Sequence, residues 1–288
     1  MITAKNYAAQ AEKSLIDAIP SIDKAGYTAT SFMHKRIANL ISKSVHFAIP
    51  DNGNIMNDGH KGMIGIRAEL PFEMITIEYF VSDPVMLSDA QIHIAKRLII
   101  AVDSKIMNSI LGTSVEDSIF VFSVMYFQNK WVLQPAGAVF PKSWESVASD
   151  GRIQFVKASP EIFDLTYGQG KQNPLTDVSS DCGSVMELLE ALSCRNVSTE
   201  PIKKIKPSVN AKRITDGKLP IYETRILTIN SSAIHKQTTK QSGSSHASPR
   251  QHLRRGHIRR LESGNIWVNS CVVGDPSKGS ISKQYSVV

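Results

Sequence analysis

The sequence predicts an α+β fold with N-terminal helices, an antiparallel β-meander, and then a basic C-terminal region that contains a β-hairpin. Three observations carry this. Apolar residues recur at helical spacing over the first 45 positions. After Ala48 the pattern changes to short β-branched and aromatic runs broken by Pro, Gly and Asn. From Pro201 onward there are 16 Lys and Arg against 4 Asp and Glu, a net of +12, while residues 1–200 hold 17 against 22, a net of −5. A split of this size implies that one region meets an anion while the other serves as scaffold.

In chain order, Thr3 to Ile16 places Ala8, Leu15 and Ile19 near helical spacing, with Pro20 as the stop signal. A second helix is expected over Thr30 to Val45, with Phe32, Ile37, Leu40 and Ile41 on its apolar face. His34 and His46 read as solvated or hydrogen-bonded structural residues. MIGIRAEL, MITIEYFV, RLIIAVDS, SIFVFSVMYF and KWVLQPAGAVF then read as strands, with a tight turn at Gln128-Asn129. Glu73, Glu78 and Asp103 read as surface acids near strand ends.

Pro135 to Ser180 is rich in Pro, Gly, Ser and Asp and reads as loops around one short strand, RIQFVK. This gives three parts: an α+β domain over 1–150, suited to binding a protein or peptide, a loop-rich connection over 151–183, and a C-terminal region over 184–288. Gly151, Gly168 and Gly170 form no phosphate-binding fingerprint, so no nucleotide site is expected. Cys182, Cys194 and Cys271 fit neither a disulfide framework nor zinc spacing, and no metal or cofactor is expected. The apolar runs fall short of a membrane span and no secretory h-region is evident, so the expected location is a reducing cytoplasm.

A helix is expected over Ser184 to Cys194, with Ser184 as N-cap, Glu187 completing a capping box, and Val185, Leu188, Leu189 and Leu192 as its apolar stripe. The lysine-rich stretch Glu200 to Gly217 reads as a solvated linker, Leu219 to Ile229 as a strand, and 230–249 as a flexible arm. The arm leads into Arg250 to Arg260, which holds five arginines and two histidines without an acid. Alternation resumes at His257, and a Ser263-Gly264 turn pairs Arg260 with Trp267 and Leu261 with Ile266. His257, Arg259, Leu261, Ile266 and Val268 then share one face, and Arg260 over Trp267 permits a cation–π contact. A Gly274-Asp275-Pro276 turn precedes SISKQYSVV as a closing strand.

The candidate nucleic-acid or partner-binding residues are Arg250, His252, Arg254, Arg255, His257, Arg259, Arg260 and Trp267. Three functions fit them. In the first, the element contacts RNA or the ribosome through phosphate-directed arginines. In the second, His252 and His257 act as base and acid of a metal-free ribonuclease, although five residues along a strand place them on opposite faces unless Gly256 kinks the chain. In the third, the basic groups hold the C-terminal strands onto the acidic part by ion pairs.

Ala191 to Val197, Asn210 to Arg213, Gly217 to Glu223 and above all Pro249 to His257 resemble a family of tailed-phage and prophage proteins. One branch of that family is similar to a type V-A anti-CRISPR protein, which lowers the CRISPR effector nuclease by acting on its mRNA during translation through the nascent peptide. The shared block is chiefly H-x-R-R-G-H, here His252, Arg254, Arg255, Gly256 and His257, with a weaker echo at Leu70-Pro71-Phe72. Ile258-Arg259-Arg260 replaces a more aromatic stretch of the anti-CRISPR branch. The resemblance covers 184–288 and implies a phage-encoded effector in the bacterial host cytoplasm. Its implied partners are a host or CRISPR protein or nascent peptide, with mRNA or the ribosome.

Overall fold

In a computed structural model the chain is described over residues 4–55, 67–82, 96–143, 153–168, 173–230, 250–254, 257–268, 271–273 and 275–281. The fold is α+β. Strands β1 (Val45–Ala48), β2 (Met74–Phe80), β3 (Lys96–Asp103), β4 (Ser118–Phe127), β5 (Lys130–Leu133), β6 (Ala136–Pro141), β7 (Gln154–Lys157), β8 (Val197–Pro201) and β9 (Thr224–Ile229) make one nine-stranded sheet. Its order is β7-β6-β4-β3-β2-β1-β9-β8, with β5 paired to β4. The expected meander is present from MITIEYFV onward, since β2, β3, β4, β6 and β7 pair antiparallel in sequence, whereas the described part of the expected strand MIGIRAEL, residues 67–70, makes only a single bridge from Arg67 to Ser143 and its first four residues lie outside the described residues. The turn at Gln128-Asn129 is also present, and both residues take positive φ, 47° and 62°, as a type I′ hairpin requires.

The sheet departs from a pure meander at β1, which runs parallel to both β2 and β9. The connection from β1 to β2 spans residues 49–73, long enough to cross over, whereas a tight turn would force antiparallel pairing. Because β8 and β9 continue the same sheet, residues 197–229 extend the N-terminal architecture.

Helices cover both faces. Leu15 of α1 (Tyr7–Lys24), Ile37 and Ile41 of α2 (Thr28–Lys43) and Met107 of α3 (Ser104–Leu111) pack with Leu98, Ile100 and Phe122 of the sheet. On the opposite face, Phe163 of α4 (Pro160–Tyr167) and Val185 and Leu188 of α5 (Pro174–Leu192) pack on Ile77, Ile99 and Ala101. Each such side chain removed from water contributes about 1.5–3 kcal/mol. Successive residues of β3 thus enter different cores, which explains why RLIIAV reads as an unbroken apolar run.

Several local expectations are corrected. Pro20 lies inside α1, on its exposed side, and the helix continues past it to Lys24. Phe32 is 41% exposed, and Met33 takes the place expected for it beside Ile37 and Ile41. Glu78 is buried instead of lying at the surface. Residues 153–183 hold β7, α4 and the first half of α5, because the buried sequence Val178, Cys182, Val185 and Leu189 outweighs their polar composition. Ser184 is therefore mid-helix, donates to the Ser180 carbonyl and caps nothing.

Neither N-terminal helix supplies its own side-chain cap. The Glu78 carboxylate accepts from the Lys5 and Tyr7 amides, at 2.7 and 2.8 Å, at the start of α1. Glu161, in the first turn of α4, accepts from the Ala29 and Thr30 amides, at 2.9 and 2.8 Å, at the start of α2.

The C-terminal elements are α6 (Pro207–Thr215), β10 (Arg250–Arg254), β11 (His257–Arg259), β12 (Ile266–Val268), β13 (Cys271–Val273) and β14 (Asp275–Ile281). β10 lies between β13 and β14 in a three-stranded sheet, and β11 and β12 form a separate hairpin. The closing strand begins at Asp275, five residues before the expected Ser280.

Candidate functional site

The hairpin pairs His257 with Val268, Ile258 with Trp267 and Arg259 with Ile266. The expected sharing of one face by His257, Arg259, Ile266 and Val268 is observed, but the expected pairing of Arg260 with Trp267 is not. The Gly264 amide donates to the Leu261 carbonyl at 2.9 Å, so the turn centres on Glu262 and Ser263, one residue earlier than expected. Gly264 follows it with φ of 111°, a conformation suited to glycine. A shift of one residue in the turn centre moves the cross-strand register by two, and two is the period of a strand. That is why the faces survive while the pairs change.

Trp267 has a structural place instead of standing under an arginine. Its amide donates to Asn196 Oδ1 and its carbonyl accepts from Asn196 Nδ2, both at 2.8 Å. The Arg195 amide donates to the Asn265 carbonyl, and Asn265 Nδ2 donates to Ser193 Oγ, both at 3.0 Å. A Cβ on Gly264 would lie 3.3 Å from Arg195 Cδ, so the hairpin tip packs closely on the segment after α5. Arg260, beyond the end of β11, forms a 3.2 Å ion pair with the buried Glu190 of α5. These contacts dock the hairpin on the end of α5.

The lysine-rich stretch after β8 is ordered, and this corrects its reading as a linker. It contains α6, whose packing depends on the extended segment 219–222. The Leu219 carbonyl accepts from Arg213 Nε at 2.7 Å and the Pro220 carbonyl from Asn6 Nδ2 at 3.0 Å. Asn210 holds the Ile221 amide and carbonyl, each at 2.9 Å, and the Tyr222 amide donates to Asn6 Oδ1 at 3.2 Å. Side chains therefore satisfy each main-chain polar group from the Leu219 carbonyl to the Tyr222 amide, in place of a neighbouring strand. The Tyr222 ring stacks on His46, with centroids 4.4 Å apart, and its hydroxyl donates to Glu12.

This clamp fixes a cationic surface. Lys203, Lys204, Lys206, Lys212 and Lys218 are exposed, and none of the first four forms an ion pair among the described residues. Val209 and Ile214 of α6 are 43% and 62% exposed. Sequence reasoning found these lysines but missed Asn6, Asn196 and Asn210, whose role depends on distant backbone.

Of the predicted site residues, Arg250, His252 and Arg254 are placed by the backbone of β10, where His252 pairs with Val273. Arg255 and Gly256, where a kink would be needed to bring the two histidines together, lie outside the described residues, as does 231–249 of the expected arm. His257 is half-buried and Arg259 exposed on β11. His252 and His257 belong to different sheets.

His34, His46, Cys182 and Cys194 are sealed inside. Burial pushes the His46 imidazole down to about 4 and lowers that of His34, so both stay neutral near pH 7. Burial, and then the neighbouring Glu190, pushes the Cys194 thiol up to about 11, and the Cys182 thiol is raised as well. Asp181 is fully buried on α5, where it accepts from Ser123 Oγ and Tyr79 Oη and lies 3.5 Å from Arg97. That network ties α5 to the sheet at a point solvent does not reach. No group of three or more His, Cys, Asp or Glu side chains arranged to hold a metal ion occurs among the described residues. No protein-family model matches the chain, and neither a curated protein nor a solved structure is similar to it at a significant level.

Proposed function

We propose that the chain is a non-enzymatic, phage-encoded effector of the bacterial host cytoplasm that lowers the expression of a host defence target such as a CRISPR nuclease. In this reading the basic C-terminal third contacts mRNA or the ribosome, while the α+β body binds a host protein or nascent peptide. The observation that carries it is the fixed lysine surface of residues 203–212, joined through the sheet to a body of net negative charge. Exposed cations without an ion-pair partner among the described residues are suited to phosphates, whose counterions they release on binding. The phage assignment rests on the resemblance of the His252–His257 block. Arg260 acts differently, since its pairing with Glu190 makes it a docking contact and favours, for this one residue, the reading of a charge-paired C-terminal region.

Anisotropy of a labelled single-stranded RNA tests the reading. Replacing Lys203, Lys204, Lys206 and Lys212 with Gln should weaken binding and flatten the dependence of log K on log salt by about 0.7 for each phosphate that is no longer neutralised. Unchanged affinity and slope would remove RNA from the proposal. Purification from phage-infected cells with and without RNase then separates a protein partner from an RNA-bridged one.

A further inference from the structure

We infer that the pocket at the carboxyl ends of β1 and β9, roofed by Trp267, is a binding site for a small uncharged apolar ligand, an aromatic ring or a branched alkyl group. The pocket offers about 180 Å³ and is partly open to solvent. Its wall is drawn from separate parts of the chain: Ile49 after β1, Ile55, Ala191 at the end of α5, Val197 of β8, Leu227 of β9 and Trp267 of the hairpin. No side chain in that wall carries a formal charge.

Four of the neighbouring main-chain groups are already satisfied. The Ile49 amide donates to the Glu78 carbonyl, the Ile55 amide to the Glu187 carboxylate, and the Trp267 amide and carbonyl are both held by Asn196. A water or a charged ligand would find few partners, whereas an apolar group gives nothing up. An apolar cavity of roughly 150 Å³ stays dry and accepts a benzene-sized molecule, so this one is of the size to hold a single substituted ring. The position is also one where sheets with parallel strands commonly bind ligands, outside the carboxyl ends of those strands. The hairpin roof is held by hydrogen bonds and one partly exposed ion pair, and the pocket beneath it is partly open to solvent. A ligand against Trp267 would brace the hairpin. The inference does not depend on RNA binding.

Toluene titration of the full chain, followed by thermal unfolding and tryptophan fluorescence, is the test. Saturable binding, a melting temperature that rises with toluene, and no such effect from benzoate are expected. Ala191→Leu and Ala48→Leu each fill the pocket and should weaken toluene binding by roughly tenfold or more while leaving the circular dichroism native. Should either variant fail to fold, Leu227→Ala decides, because it enlarges the pocket and should shift preference from toluene towards naphthalene. The inference is overturned by absence of saturable toluene binding, by an equal response to benzoate, or by well-folded filled variants that bind toluene as the wild type does.

Discussion

Single side chains carry unusual responsibility in this protein. Asn196 alone satisfies the amide and carbonyl of Trp267, so Asn196→Ala leaves two partly buried main-chain groups without partners. At about 1 kcal/mol for each of the two hydrogen bonds removed, the hairpin should be destabilised by about 2 kcal/mol. Hydrogen exchange should show protection lost from 257–268 while the amides of β3 keep theirs; uniform loss would show that the hairpin is integral to the main core. His46 makes a pH prediction. Its folded pKa of about 4 lies below the usual 6.5, so its contribution is present above pH 6.5 and lost as pH falls towards 4. The effect is on the order of 3 kcal/mol. Burial raises Glu78 instead, which has the opposite sign: that contribution is present at low pH and lost as pH rises, and so offsets part of the slope. Urea unfolding of His46→Phe, which can keep the stack on Tyr222, should give a flatter profile between pH 7 and 4 than the wild type. Equal slopes would remove His46 as the cause.

At the level of elements, what was legible depended on whether the signal was local. The β4–β5 turn was readable because Gln128-Asn129 sits between two aromatic runs, although neither residue favours positive φ as glycine does. Gln128→Asn with Asn129→Gly should therefore stabilise the protein by about 0.5–1 kcal/mol without changing the fold, as a shift in the urea midpoint at constant m-value. The start of α5 was not readable, because Asp177, Ser179, Ser180 and Asp181 resemble a loop and become helical only through the buried side chains packed beneath them. The hairpin was half-readable: alternation fixed its faces, but the location of its turn depended on which residue took the positive φ. The lysine surface was visible from composition, whereas its rigidity was not, since Asn6 and Asn210 are 204 positions apart in sequence and meet only through segment 219–222.

At the scale of the whole molecule, composition located the change in charge but not the limits of the folded unit. The break near 150–183 falls within a continuous architecture, because α5 covers the sheet and β9 pairs with β1. A fragment ending at residue 183 should fail to fold cooperatively, since it loses Val185, Leu188 and Leu189 from the core along with two strands. One ending at residue 230 should keep the sheet and melt cooperatively, with the pocket unroofed. Limited proteolysis and circular dichroism of the two fragments distinguish these outcomes, and a stable fragment ending at 183 would restore the boundary that composition implied.

The borrowed caps of α1 and α2 bear on the order in which the chain assembles. A ribosome releases both helices before the sheet, yet α1 lacks its anchor until Glu78 emerges and α2 until Glu161 does. Until those residues emerge the N-terminal helices thus have frayed starts, and until the strands follow they have an apolar face without a sheet to cover it. In pulse-labelled refolding, the amides of Ala29 and Thr30 should become protected no earlier than the strands, so the segment made first is among the last to be secured.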